Sequence, residues 1–161
     1  MATTRDLKKI EPLMGRDLRL DYRQSGGFFE DADLATVKSP RSARRERDLA
    51  TLEGLAALEQ AIANRLKTRM GELAALGHPN YGSRHHELIG QPNIERTRDL
   101  IKIYVLQALR DEPRIERVVS ATVRSEHVRP RDTVRIELKL KVIGEQALLN
   151  LVVPFSLEVS A

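Results

Sequence analysis

The residues best suited to chemistry in this chain are its four histidines, scattered carboxylates and one loop serine. His86-Glu87-Leu88-Ile89-Gly90 begins like the His-Glu-x-x-His helix of zinc proteases. It lacks the second histidine, so the pair of imidazoles that grips the metal is missing. His85 and His86 are adjacent, and neighbouring positions on a helix point in different directions, so a polar helix face is their expected role. Glycoside hydrolysis needs two carboxylates across a cleft, about 5 to 10 Å apart depending on mechanism. Glu30, Asp31 and Asp33 fall in a segment that reads as exposed, where burial cannot raise a pKa. Glu72 follows Gly71 in a turn with Arg69 close by, and a guanidinium keeps a carboxylate ionised, the wrong state for a general acid. Gly82-Ser83-Arg84 reads as a turn that does not present its serine as a nucleophile. No Gly-x-Ser-x-Gly elbow, Walker loop or dinucleotide fingerprint occurs. No catalytic residue, metal ligand set or cofactor is expected.

The elements that position these residues must be built from aliphatic side chains. Aromatics make up 4% of the 161 residues and Trp is absent, so the core has to come from Leu, Ile, Val and Ala. Charged residues make up 31%, above the usual quarter. One ordinary domain with peripheral decoration is expected. With no Cys, disulfides and thiolate metal sites are excluded. The first twenty residues are charged throughout and carry no apolar signal core. No run approaches the ~20 apolar residues of a membrane span, so no membrane partner is expected. The basic excess gathers at Lys38 to Arg47. It has no interleaved aromatics for base stacking. Arg41, Arg44, Arg45 and Arg47 therefore read as a solvated face or a contact for an acidic protein, in preference to a nucleic-acid site.

Periodicity divides the chain. Residues 1–47 read as a loosely structured extension, broken by Gly26-Gly27 and Ser39-Pro40. Leu18, Leu20 and Tyr22 alternate with polar residues and allow a short strand. Asp33-Leu34-Ala35-Thr36-Val37 resembles Asp48-Leu49-Ala50-Thr51-Leu52. The match is too short to establish a repeat, and the second copy is either extended or a lead into a helix. Residues 48–161 form the main domain. Leu55, Leu58, Ile62 and Leu66 share one face of a helix running from about Gly54 to Arg69. Ser83 is placed to cap a short helix through Leu88, and Asn93 to cap a longer one from Ile94 to Arg110, roughly 25 Å at ~1.5 Å per residue. Pro113 ends that helix.

Beyond Pro113 the period becomes two. Val118 to Val123 is β-rich. Val134, Ile136, Leu138, Leu140 and Val142 alternate with charged residues, and Leu149, Leu151, Val153, Phe155 and Leu157 alternate again after a short turn. Pro154 marks the last strand as an edge. The fold class is α+β, two main helices packed on a small antiparallel sheet.

Several words occur in a distinctive order: Leu66-Lys67-Thr68, Gly71-Glu72-Leu73, Pro79-Asn80-Tyr81-Gly82-Ser83, Leu88, then Glu112-Pro113-Arg114 ahead of the strands. In that order they resemble the baseplate wedge and sheath-initiator family of contractile injection systems. That family spans phage tails, tailocins, extracellular injection particles and the related type VI secretion subunit, and was formerly labelled baseplate lysozyme. The resemblance covers about Leu49 to Phe155. It implies a non-enzymatic structural part, made in the cytoplasm and built into a phage tail or tail-like particle. A peptidoglycan-degrading, lysozyme-like enzyme is the alternative carried by the old label.

The resemblance further implies a sheet similar to the sheath's own handshake module, templating the first sheath ring by β-strand addition. Val134, Ile136, Leu138, Leu140, Leu149, Leu151, Val153 and Phe155 are then the candidate partner strands. Glu112, Pro113 and Arg114 are expected to dock on the wedge. Gly71, Tyr81, Gly82 and Ser83 are expected to form a structural loop. The implied partners are the sheath protein and other wedge proteins, with tube or spike-hub proteins as further candidates.

Overall fold

The first helix follows from the spacing of its aliphatics. In the computed structural model, which describes residues 14–25, 28–39, 46–126 and 132–158, α1 spans Leu55–Lys67. Leu58, Ile62 and Leu66 recur at helical spacing and are all 1% exposed or less. Gly54 enters the helix at φ +64°, a conformation that costs a glycine nothing. The second helix, α2, spans Glu95–Arg110 and buries Thr97, Ile101, Val105, Ala108 and Leu109. Glu95 lies in its positively polarised first turn and Arg110 in its last. Asn93 is not its cap: the capping position is Ile94, in an extended conformation. Asn93 instead donates to Ser125 Oγ (3.0 Å) and accepts from Arg98 at both its oxygens.

The chain divides into two compact units, Met1–Gln60 and Ala61–Ala161. In the second, β7 (Ile115–Ser125), β8 (Thr133–Val142) and β9 (Leu148–Ser156) form one antiparallel sheet in the order β7-β8-β9. Val134, Ile136, Leu138, Leu140 and Val142 are 1% exposed or less, and Leu151, Val153 and Phe155 line up beside them. Each fully buried aliphatic of this face stabilises the fold by roughly 1.5–3 kcal/mol. The fold is mixed α+β, as the change of period from 3.6 to 2 requires.

The first unit is thinner. Its described residues form six short strands: β1 (Arg16–Leu18), β2 (Leu20–Ser25), β3 (Phe28–Leu34), β4 (Thr36–Lys38), β5 (Arg47–Leu49) and β6 (Thr51–Glu53). They pair antiparallel as three separate two-stranded ladders, β1 with β6, β2 with β3, and β4 with β5. Arg19, Ala35 and Ala50 are the pivots between successive strands. Their backbones close a triangle: Arg19 N–H donates to Ala50 O (2.8 Å), Ala50 N–H to Ala35 O (2.8 Å), and Ala35 N–H to Arg19 O (2.9 Å). Before each pivot stands an Asp-Leu pair, and the leucine N–H donates to the preceding aspartate Oδ1 at Asp17, Asp33 and Asp48. The similarity of residues 33–37 to residues 48–52 is thus two arms of a three-armed junction. The third arm, Asp17-Leu18-Arg19, carries Arg where the other two have Ala, which hides its kinship in the sequence. Gln60 completes one arm, accepting from Leu20 N–H (2.8 Å) and donating to Leu18 O (2.7 Å). Gly26, Gly27, Pro40, Arg41, Arg44 and Arg45, which figured in the sequence reading, lie outside the described residues.

Candidate functional site

The loop motif and the corner motif meet in space. Glu112 and Pro113 follow the end of α2, and Arg114 immediately precedes β7. Glu112 is 6% exposed. Arg114 Nε donates to its Oε1 (2.6 Å) and a terminal nitrogen to its Oε2 (3.0 Å), a two-toothed ion pair closed across Pro113. Arg65 of α1 reaches the same carboxylate at 3.9 Å. Its guanidinium also lies over the Tyr81 ring, 4.7 Å from the centroid. Burial alone would raise the pKa of Glu112. The hydrogen bonds and charge of Arg114, with the charge of Arg65, outweigh it and leave the pKa lowered. The Glu112 bond in turn raises that of Arg114, with a contribution from Tyr81. Tyr81, Arg65, Glu112 and Arg114 therefore make one connected polar cluster. Arg65 was missed because helix residues of its type are usually solvated; its position one residue before Leu66-Lys67-Thr68 was the available signal.

The Tyr81 loop is held by a backbone clamp. Ser83 N–H donates to Thr68 O (2.9 Å), Met70 N–H to Ser83 O (3.2 Å), and Gly71 N–H to Tyr81 O (3.3 Å). Gly71 and Gly82 both take positive φ, +81° and +105°. At Gly82 a Cβ would stand 2.5 Å from the Arg69 carbonyl oxygen and 2.7 Å from that of Thr68. Both are backbone atoms, so glycine is required by close approach as well as by φ.

Ser83 does not cap the helix that follows it, residues Arg84–Leu88, a 3-10 helix with no side-chain cap. Ser83 is fully buried, and its hydroxyl lies 2.7 Å from His85 Nδ1 and 3.5 Å from Tyr104 O. The expectation of two histidines diverging on a polar face is also corrected. His85 is 1% exposed, its ring stacks on that of His86 at 4.3 Å, and Phe155 of β9 meets both edge-on. A 3-10 turn separates neighbouring positions by more than an α-helix does, so the contact comes from both rings turning inward onto Phe155. Burial and the neighbouring His86 push the His85 pKa down to about 3. His86 donates through Nε2 to Leu66 O (2.9 Å), and its pKa is also lowered, chiefly by burial.

The carboxylates of these motifs are already engaged by neighbouring donors. Glu112 is ion-paired through both oxygens. Glu87 receives two bonds from Arg84 at 2.9 Å, which lower its pKa. Glu72 Oε2 accepts the Arg69 backbone N–H (2.9 Å). Among the described residues no three His, Cys, Asp or Glu side chains are grouped to hold a metal.

The strand candidates divide. Leu149, Leu151, Val153 and Phe155 lie on β9, an edge strand, as Pro154 anticipates. Val134, Ile136, Leu138 and Leu140 lie on β8, the central strand. Both edges of β8 are already hydrogen-bonded within the chain, so the expectation that it receives an added strand is corrected. Within this sheet, among the described residues, the edges left for an added strand are those of β7 and β9.

Corner, loop and sheet thus make a small α+β unit with an ion-paired turn and an open-edged antiparallel sheet. The family comparison gives it a place: the baseplate wedge protein gp25 family matches residues 52–147, and the chain belongs to that family. It is a structural component of a baseplate of the phage-tail type, and its partners include other baseplate proteins. Comparison with curated proteins finds no match. Among solved structures, the chain is similar to a protein from Geobacter sulfurreducens described as a tail lysozyme. Identity is 28% and the TM-score 0.59, over 68% of this chain and 97% of the other.

Proposed function

We propose that the protein is a non-enzymatic sheath initiator: it lends the free edge of β9 to strands of the first sheath ring and docks on the wedge through the Glu112-Pro113-Arg114 corner. One observation carries the reading. β9 pairs with β8 in unbroken register over nine residues, and among the described residues no strand lies on its other side. Such an edge is a ready template for another chain. β7 is the poorer template, because register shifts at Ile115/Arg117 and Val118/Ser120 mark it with bulges. At the corner, the Glu112–Arg114 pair and Pro113 hold the chain in one conformation, which lowers the entropy lost on docking.

Hydrogen exchange on the full chain, with and without purified sheath protein, tests the strand addition. New protection confined to Leu148–Ser156 is expected; unchanged exchange there would remove it. The lysozyme name borne by the Geobacter protein supplies the competing reading. Muramidase assays on purified full chain are expected to show no turnover, and turnover lost in a single Asp or Glu variant would establish an enzyme instead.

A further inference from the structure

The outward face of the β7-β8-β9 sheet carries a concentration of positive charge that folding does not explain. Cross-strand register places Arg117 opposite Lys141, Ser120 opposite Lys139, Thr122 opposite Glu137, and Arg124 opposite Arg135. The third strand adds Leu148, Asn150, Val152 and Pro154 to the same face. Five cations thus share this face with two carboxylates, Glu137 and, just past the end of β7, Glu126. Two of the cross-strand pairs set like charges directly opposite each other, an arrangement that destabilises a sheet. The chain offsets only part of this: Arg135 pairs with Glu126 (2.8 Å), and Arg124 comes within 3.8 Å of Glu137. Lys141 turns its amine to the Glu145 and Gln146 carbonyls.

We propose that this face is a docking surface for an acidic protein surface. Charge complementarity identifies the sign of the partner. The apolar members identify its class: Val152 is 50% exposed and Leu148 40% exposed. Leu148 lies opposite Lys141 and Val152 opposite Glu137, and exposed aliphatics set among charges suit a protein interface, where they are dehydrated on contact. They offer nothing to a phosphate backbone, and the face has no aromatic platform for bases. The face measures about 20 Å along β8 and about 10 Å across the strands. That is well under the ~800 Å² per partner of a stable binary complex. The contact is accordingly weak alone and works where the protein is also held elsewhere. It stands apart from strand addition, since it uses side chains of the sheet face and not backbone groups of its edge.

Nuclear magnetic resonance titration of the full chain with a decaglutamate peptide tests the proposal. Amide shifts are expected on the outward positions of β7, β8 and β9, with affinity falling at least about tenfold between about 50 and 200 mM salt. The double variant R117E/K139E is expected to lose these shifts while its unfolding midpoint stays at or above that of the parent. K139Q is expected to weaken binding without changing the midpoint. Shifts confined to the Lys38–Arg47 segment, an absence of shifts, or tighter binding at this face by a DNA duplex of matched charge would each overturn it.

Discussion

Arg114 closes a two-toothed ion pair on Glu112 from only two residues away, with Pro113 as the rigid span between them. The geometry changes what a mutation at this corner measures. An Arg114→Ala substitution, otherwise the obvious test of docking, strands a buried carboxylate with Arg65 at 3.9 Å as its remaining ion-pair partner.

Arg114→Ala is therefore expected to destabilise the fold by about 2–3 kcal/mol, below the ~3–5 kcal/mol of a fully buried pair because Arg114 is partly exposed. The double variant E112Q/R114Q removes both charges and should recover most of that loss. Urea unfolding of the three proteins measures it. If docking depends on the corner, both variants fail to enter baseplates, and the folded double variant makes that failure interpretable.

Gly82→Ala is expected to cost at least about 2 kcal/mol, combining backbone strain with a clash against main-chain oxygens that cannot turn aside. Gly77→Ala is the control, because a Cβ there meets no atom within 4 Å although φ is also positive. Thermal unfolding of the two should separate close approach from conformation alone.

His85 gives the fold a pH dependence of known sign. Its pKa is near 6.5 unfolded and about 3 folded, so between those values the unfolded chain binds more protons. Stability is full above about pH 6.5 and falls as the pH drops toward 3. The lowered pKa of His86 acts in the same direction. Between pH 6.5 and 5, before carboxylates contribute much, a His85→Phe variant should show a shallower loss in denaturant midpoint than the parent.

Gln60 is 5% exposed and satisfies two backbone groups of the first unit. Gln60→Ala should cost about 1–3 kcal/mol by leaving the Leu20 N–H and Leu18 O without it. Hydrogen exchange should accelerate at Leu20 and leave the β7–β9 sheet unchanged.

What was legible in the sequence was whatever depends on period and on short words. Leu55, Leu58, Ile62 and Leu66 announce a helix face, and the alternation through Val134–Val142 announces a strand buried on one side, because each pattern repeats the geometry of its element. The ordered words from Leu66 to Arg114 mark the family for the same reason: they are local. Strand order, the meeting of Arg65 and Tyr81 with Glu112, the burial of His85 and the triangle at Arg19, Ala35 and Ala50 were decided only in three dimensions. Each joins residues far apart along the chain, or depends on which side of a turn faces the core. Local pattern carries no information about a partner twenty or more residues away, so β8 looked as available as β9 until the sheet placed it in the middle.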